Sequence, residues 1–547
     1  MGLLLSIISG LLAGFSFPKY GYAILAWVSY VPLLFSIKTI NGKRPVLRAY
    51  FYGFISGFIA NIILLYWVVV AMHRYGNINL IVSIFGLFLL ASILSALYWG
   101  PFTLLIKVFM NDSRAGELIF IPVIWVILEY IRTFLFSGFP WELLGYSQYK
   151  NLSLIQIARW TSVYGVSFLI MLFNVLVYEL IVWWYNVESV RTKQYPMIFA
   201  KTIIVVLLIT GVFVYGDITL SNTNREIKQA TDVLTVGLIQ GNIDQNHKWD
   251  PVYQNETMTS YFSLSQQAYN LAHPELIIWP ETATPFFFQT EYNYREQLIR
   301  FVKAHNVYLL FGSPAFDYTK NGINYYNSAF MLSPDGSVIG RYDKRHLVPF
   351  GEYLPLKHIF FFLRKLTEGI GDFTPGRQYN LLEFQNVRIG TLICYEIIFP
   401  QLSAHDVRDG ANLLVTITDD AWFGDTSAPY QHLSMATFRA VENNRFVVRA
   451  ANTGITAVIS PTGEIMKSTK LFVPGFIDYR VALLKEKTFY TVHGDIFVFV
   501  SMGIFAIFII RYIYRHFTVY RLVNPKNAIG KFAHSFNPTI HLRYKDF

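Results

Sequence analysis

The sequence predicts a polytopic α-helical membrane protein of about eight transmembrane helices that carries a water-exposed α/β domain between its seventh and eighth spans. Three observations carry this reading. Of 547 residues, 53% are hydrophobic and only 15% are charged, whereas soluble domains hold roughly a quarter charged residues. The apolar residues are bunched into runs of roughly 20, the helix length that crosses a bilayer core. Charge density steps from about 10% over residues 1–217 to about 18% over residues 218–485, as expected where lipid-facing chain gives way to water-facing chain.

Seven windows precede the domain, at approximately residues 2–18, 21–37, 49–72, 78–106, 117–137, 163–185 and 198–216, and an eighth covers 494–514. They are too long and too little alternating for barrel strands, so the chain meets lipid as helix. The first window lacks a basic stretch before it and a small-residue cleavage site after it, and reads as a retained span. The expected division is a membrane domain over 1–217, a water-exposed domain over 218–485, the eighth helix over 486–515 and a basic tail over 516–547. Orientation follows the Lys/Arg content of short loops. Lys38, Lys43, Arg44, Arg48, Lys107, Arg114, Arg191 and Lys193 fall on one side, against Lys19, Arg74, Lys150 and Arg159 on the other. Both termini are thus expected in the cytoplasm, with the domain on the opposite side. Within the spans, Glu129 and Arg132 stand one turn apart and can pair on one helix face, and Glu179 is a further ionisable group.

The formal charge of +10 lies outside the domain, which holds 23 Lys and Arg against 25 Asp and Glu. A nucleic-acid partner would need the basic excess on the folded domain, so none is expected. One cysteine excludes an intrachain disulfide and any multi-cysteine metal site. His432 has no second histidine or acidic residue at ligand spacing, so no metal and no cofactor are expected.

Inside the domain, Val236–Gln240, Leu276–Trp279, Val307–Phe311, Val387–Ile393 and Asn412–Thr418 read as buried strands. Tyr294–His305 and Gln431–Asn444 read as helices. Ser333-Pro-Asp-Gly and Ser460-Pro-Thr-Gly give turn chemistry for two hairpins. Cys394 and Glu281 each end a strand, and Lys344 follows a hairpin. A cysteine nucleophile needs a base to take its proton and a cation or N–H group to hold the oxyanion, and Glu281, Lys344 and Cys394 supply those types. An unpaired cysteine on an oxidising side of a membrane is a hazard unless it is used.

Trp279-Pro-Glu281, Tyr342-Asp-Lys344 with Leu347-Val-Pro-Phe-Gly-Glu352, and Ile393-Cys394-Tyr-Glu396 resemble the Glu-Lys-Cys signature of the nitrilase superfamily. With seven spans before the domain and one after, the whole resembles the apolipoprotein N-acyltransferase family. Gln240-Gly-Asn-Ile, Lys248-Trp249-Asp-Pro, Asp420-Ala-Trp422-Phe-Gly-Asp, Gln431-His432 and Gly138-Phe-Pro-Trp-Glu-Leu-Leu-Gly-Tyr agree with it, over roughly residues 10–515.

The resemblance implies a nitrilase-like αββα sandwich and a ping-pong reaction. Cys394 would take the sn-1 acyl chain of a membrane phospholipid as a thioester and pass it to the α-amino group of an S-diacylglyceryl cysteine on an apolipoprotein. Glu281 would be the base and Lys344 the oxyanion holder, with Glu352 and Glu396 supporting and Trp249, Tyr395 and Trp422 near the substrate. It also implies a monomer in the inner membrane of a bacterium, with the domain in the periplasm. A membrane-tethered amidase or hydrolase would share the triad and differ in its acceptor. A transporter or receptor with an inert domain would keep the spans without a reactive thiol.

A lipid substrate needs a route to the thiol, and two apolar runs flank the catalytic segments: Pro285-Phe-Phe-Phe and His358-Ile-Phe-Phe-Phe-Leu-Arg-Lys-Leu. At least one is expected to touch lipid as an interfacial arm. Serine at Phe360, Phe361 and Phe362 should lower turnover of vesicle-bound donors more than turnover of a soluble ester, and equal losses would contradict the expectation.

Overall fold

The computed structural model describes residues 1–40, 42–109, 116–186, 188–320, 322–354 and 372–523. The N-terminal part is helical: α1 (Gly2–Phe15), α2 (Val31–Lys38), α3 (Pro45–Leu65), α4 (Leu80–Phe109), α5 (Glu117–Phe134), α6 (Val163–Trp184) and α7 (Glu188–Gln229). Among the described residues, five helices are long and apolar enough to cross a membrane: α3, α4, α6, the stretch Gln194–Gln229 of α7, and Ile496–Arg515. The first two expected spans form shorter apolar helices, Gly2–Phe15 and Ala23–Lys38. In the first, Ser16 folds its hydroxyl back onto the carbonyl of Ala13 at 2.7 Å and the helix stops before Pro18. The second is split, a 3-10 turn at Ala23–Trp27 giving way to α2, which Pro32 opens. Small residues let α1 approach α3 closely; a Cβ at Gly10 would lie 2.4 Å from the carbonyl oxygen of Ser56.

Helix α7 overruns its expected limits of 198 and 216. It has 42 residues, and residue 217, expected to end the membrane domain, lies within it. No Gly or Pro stands between Asp217 and Gln229, so no stop signal interrupts the helix once it leaves the apolar stretch.

It leads directly into β1 (Val233–Gln240). The strands β2 (Leu276–Ile278), β3 (Tyr308–Thr319), β4 (Gly322–Leu332), β5 (Val338–Asp343), β6 (Leu382–Phe384), β7 (Val387–Ile393), β8 (Leu413–Thr418), β9 (Val447–Ala451), β10 (Ala457–Ile459), β11 (Ile465–Ser468) and β12 (Gly475–Ala482) follow. They build two six-stranded sheets, in the orders β12-β1-β2-β3-β4-β5 and β11-β10-β9-β8-β7-β6. Alternate residues meet between the sheets, among them Leu238, Ile278 and Leu310 with Ile393, Val415 and Val448. On the outer face of the first sheet lie α8 (Gln254–Ala272) and α9 (Tyr292–His305). The second sheet carries α10 (Pro400–Arg408) and α11 (Ala428–Asn443). This is the αββα sandwich, and the predicted strands, helices and hairpins fall on these elements. The chain ends, as described, in α12 (Ile496–Val523).

One apolar cluster joins α10 and α11 to the membrane helices, through Phe438 and Val441 with Tyr146, Leu154 and Ile155. Helix α11 is therefore buried on nearly every side, and its Arg439 and Glu442 form an ion pair at 2.7 Å with no exposure of either side chain. Glu442 also accepts from the Ser162 hydroxyl at 2.6 Å and the Val163 N–H at 3.1 Å, at the start of α6.

One of the two candidate arms is excluded, and one possible helical pairing does not form. Pro285-Phe-Phe-Phe is not a lipid-touching arm: Phe286 stacks on Tyr294, Phe288 meets Phe311 edge-on and Phe330 at a tilt, and both are buried in the domain core. The other apolar run, at His358, lies outside the described residues. Glu129 and Arg132 are not an ion pair either. The Arg132 guanidinium donates to the carbonyls of Phe139 and Trp141 at 2.9 and 2.6 Å, and Glu129 accepts from the Leu144 N–H at 2.7 Å. The loop after α5 captured both groups. Glu179 pairs with Lys201 of α7.

Replacing Glu442 by Ala leaves Arg439 buried without its counter-charge, which typically costs about 3–5 kcal/mol. Denaturation of the solubilised protein should show that loss for Glu442→Ala and a smaller one for the double variant Arg439→Met, Glu442→Met, whose apolar pair leaves no stranded charge.

Candidate active site

The three predicted residues come from three strand ends that converge between the sheets. Glu281 follows β2 through Trp279 and Pro280. Trp279 fixes that exit, its indole N–H donating to Ser265 at 2.8 Å and its ring stacking on Tyr261. Gly312 of β3 lies against the turn so closely that a Cβ there would stand 2.4 Å from the Thr282 nitrogen; only glycine admits that approach. The Glu281 carboxylate is buried, and each oxygen is held. Oε1 accepts from Asn327 Nδ2 at 2.7 Å and faces Lys344 Nζ at 3.4 Å, while Oε2 accepts from the Asp419 N–H at 2.8 Å.

Lys344 leaves β5, and its N–H donates to the Asn327 carbonyl at 2.8 Å. Its ammonium, 1% exposed, sits between two carboxylates, with Glu352 Oε1 at 2.8 Å. Burial works against that charge, but Glu352 and Glu281 outweigh it and hold the lysine above its ordinary value. Glu352 is itself fixed by Asn327 Nδ2 and by the Val348 N–H, each at 2.8 Å.

Cys394 directly follows β7 with φ of +53°, a left-handed conformation uncommon for a residue with a side chain. It opens a 3-10 turn over Cys394–Ile398. Burial raises its thiol well above the ordinary value, the Glu281 carboxylate adds to that, and Lys344 opposes it. Cys394, as a residue half-buried, thus lies within the electrostatic reach of both the Glu281 carboxylate and the Lys344 ammonium.

Glu396 does not form the local salt bridge that its surroundings allowed. Buried completely, it accepts from the Ile393 N–H at 2.7 Å and the Tyr342 hydroxyl at 2.8 Å through one oxygen, and from the N–H groups of Arg345 and His346 at 2.7 and 3.1 Å through the other. It ties the cysteine turn to the lysine loop. The three aromatic residues stand apart. Tyr395 is buried and donates its hydroxyl to the Gly138 carbonyl at 3.0 Å, in the loop after α5. Trp422 is 38% exposed and meets Tyr75 edge-on. Trp249 is half-buried beside Lys248.

Sequence reasoning missed several groups. Asn327, on β4, bridges Glu281 and Glu352; counting outward from the Pro334-Asp-Gly turn would have set it opposite Asp343, and the bulge between Met331 and Leu332 that moves it one residue on, to Lys344, carries no sequence signal. Lys248 is buried, pairs with Asp419 and donates to the Glu281 carbonyl at 3.2 Å. His432 holds no metal cluster among the described residues. Its ring bridges Asp420, at 3.0 Å, and the Cys394 carbonyl, at 3.2 Å, and Arg449 Nη2 touches both Asp420, at 2.5 Å, and His432 Nδ1, at 3.2 Å.

The chain matches two family models: the apolipoprotein N-acyltransferase N-terminal domain over residues 9–176 and carbon-nitrogen hydrolase over residues 235–483. It is 43% identical over 501 residues to the apolipoprotein N-acyltransferase of Geobacter metallireducens, covering 91% of this chain and 93% of that one. The chain belongs to the apolipoprotein N-acyltransferase family. Further members from Chlorobaculum tepidum and Methylococcus capsulatus are 32% and 33% identical, covering 91% and 90% of this chain and 94% and 92% of their own. Among solved structures, a Nesterenkonia AN1 amidase of the nitrilase superfamily covers 46% of this chain and 90% of its own at 18% identity, with a TM-score of 0.35. Apolar helices and a carbon-nitrogen hydrolase domain share this one chain.

The raised thiol sets a pH dependence. Alkylation requires the thiolate, so iodoacetamide should label Cys394 more slowly at pH 8 than it labels an unstructured cysteine peptide, and the rate should still be climbing above the free thiol value near 8.5, where the peptide's rate levels off. Glu281→Gln should move the onset to lower pH and Lys344→Met to higher pH, read by mass spectrometry of the Cys394 peptide.

Proposed function

We propose that this membrane protein transfers an acyl chain from the sn-1 ester of a phospholipid to the α-amino group of an S-diacylglyceryl cysteine on an apolipoprotein. The observation that carries the reading is the buried ammonium of Lys344, held between Glu281 and Glu352 beside the thiol of Cys394. In the first half-reaction Glu281 takes the thiol proton as sulfur attacks the ester carbonyl. The oxyanion is held by Lys344 and the N–H of Tyr395. As the tetrahedral species collapses, the glyceryl alkoxide leaves with the proton from Glu281, giving a lysophospholipid and a thioester. In the second, the lipoprotein amine attacks the thioester, Glu281 takes its proton, and the thiolate leaves and is reprotonated.

Glu281 suits two such cycles because its oxygens are held by Asn327 and Asp419 and need no reorientation between them. Glu352 and Glu396 act on geometry, one on the ammonium and the other on the loops. Trp249, Tyr395 and Trp422 would line the approach of substrate. No cofactor takes part in this scheme. The partners are membrane lipid, the phospholipid donor and the diacylglyceryl apolipoprotein acceptor, and the chain acts as a monomer. The setting is the bacterial inner membrane, with the domain in the periplasm and both termini in the cytoplasm.

Incubation with phospholipid vesicles should add the mass of one fatty acyl chain to the Cys394 peptide, and a diacylglyceryl-cysteine peptide should then remove it and gain an N-acyl group. A thioester decaying to free fatty acid with the peptide untouched would contradict the acceptor; no adduct would contradict the nucleophile. Lys344→Met should slow thioester formation by about 10²–10³, the usual effect of losing one oxyanion donor.

A further inference from the structure

The ring of His432 takes no part in either half-reaction, yet it lies fully buried on α11 and touches the main chain of the nucleophile. It packs against Trp141 of the loop after α5, with ring centroids 5.7 Å apart, and meets Phe423 edge-on at 6.2 Å. These two rings restrict its plane. Its nitrogens then have fixed targets. Nε2 meets the Cys394 carbonyl at 3.2 Å, while Nδ1 meets Asp420 Oδ1 at 3.0 Å and Arg449 Nη2 at 3.2 Å.

A carbonyl oxygen only accepts, so Nε2 carries a proton whichever of Asp420 and Arg449 serves Nδ1. Those two groups are anchored in turn. Arg449 Nε donates to the Ile455 carbonyl at 3.2 Å and the Thr418 hydroxyl donates to Asp420 at 2.9 Å. Gly454 passes so close that a Cβ there would stand 2.6 Å from Asp420 Oδ2. The second sheet thereby holds the imidazole from behind, and the imidazole holds the Cys394 carbonyl.

That carbonyl and the N–H of Tyr395 belong to one peptide unit, and the unit is planar. Whatever fixes its oxygen also fixes the direction of its hydrogen. An oxyanion donor contributes fully only when it is aimed before charge develops. At φ of +53° Cys394 keeps its conformation only if the surroundings over-determine it, so the peptide that follows needs a hold from outside the turn. A hydrogen bond accepted at the carbonyl also polarises the unit and strengthens its N–H as a donor.

We propose that His432 is a positioning residue for acyl transfer: through the Cys394 carbonyl it aims the Tyr395 N–H at the oxyanion. The inference rests on the acyl-transfer reading above and adds to it a group that acts through the backbone, taking no proton from the thiol.

Gln and Met at position 432 test it in the full chain. The Gln amide nitrogen lies the same number of bonds from Cα as Nε2 and can donate, whereas Met has the same reach and no donor. With vesicles of phosphatidylethanolamine and phosphatidylglycerol, thioester formation on Cys394, read by mass spectrometry, should stay near the unsubstituted rate in His432→Gln. It should fall about 10- to 100-fold in His432→Met, up to the loss expected for an oxyanion donor. Alkylation by iodoacetamide forms no oxyanion, so its rate should be alike in the two variants. A loss of stability common to both leaves their comparison intact. Equal thioester rates in the two variants, or alkylation falling in step with thioester formation in His432→Met, would overturn this role alone. Absence of any thioester in the unsubstituted chain would overturn the reaction, and this role with it.

Discussion

Everything at the candidate site depends on the carboxylate of Glu396. Cys394 and Lys344 are brought in by different sheets, and nothing in either sheet alone fixes one against the other. Glu396 accepts from the backbone just before Cys394 and from the backbone just after Lys344, so three backbone hydrogen bonds, with a fourth from the Tyr342 hydroxyl, close the gap between the two loops. A buried carboxylate is tolerated only when its lone pairs are satisfied, and here they are satisfied by the groups whose separation matters. The φ of +53° at Cys394 persists because the turn is over-determined, with Glu396 on one side and His432 on the carbonyl.

Around that clamp the charges are arranged in alternation. Lys248 and Asp419, Glu281, Lys344 and Glu352 form a buried chain in which each ion has an opposite neighbour. Asn327 contributes both hydrogens of its amide, one to Glu281 and one to Glu352, which keeps the two carboxylates apart with Lys344 between them. Such a network is costly to disturb, because removing any member strands a partner in a low dielectric. It also sets the balance at Cys394, where the Glu281 carboxylate disfavours the thiolate and the Lys344 ammonium favours it.

Much of this was legible in the sequence. Strand ends followed by Glu281 and Cys394, and a hairpin followed by Lys344, are local patterns, and local hydrogen bonding made them true. The parts that escaped are those decided by tertiary partners. Glu129 and Arg132 have the spacing of a helical pair, yet loop carbonyls and an N–H group that no periodicity reveals took them instead. Phe286 and Phe288 are as apolar as an interfacial arm would be; composition does not say whether a core or a bilayer receives them. The length of α7 was underestimated because hydropathy marks where apolar residues stop, which is not where backbone hydrogen bonding stops. Asn327 and Lys248 carry no motif of their own and matter only through what they touch.

The unbroken course of α7 has a mechanical consequence. A helix of 42 residues is a rod of about 63 Å, and it enters β1 after a few residues of connection. A bilayer that thins or thickens is accommodated by helices through tilt, and the stretch of α7 after Pro196, which holds no further proline, converts a few degrees of tilt at one end into several ångströms of travel at the other. Membrane thickness thereby becomes a mechanical input to the height at which the sheets, and the thiol between them, ride above the lipid.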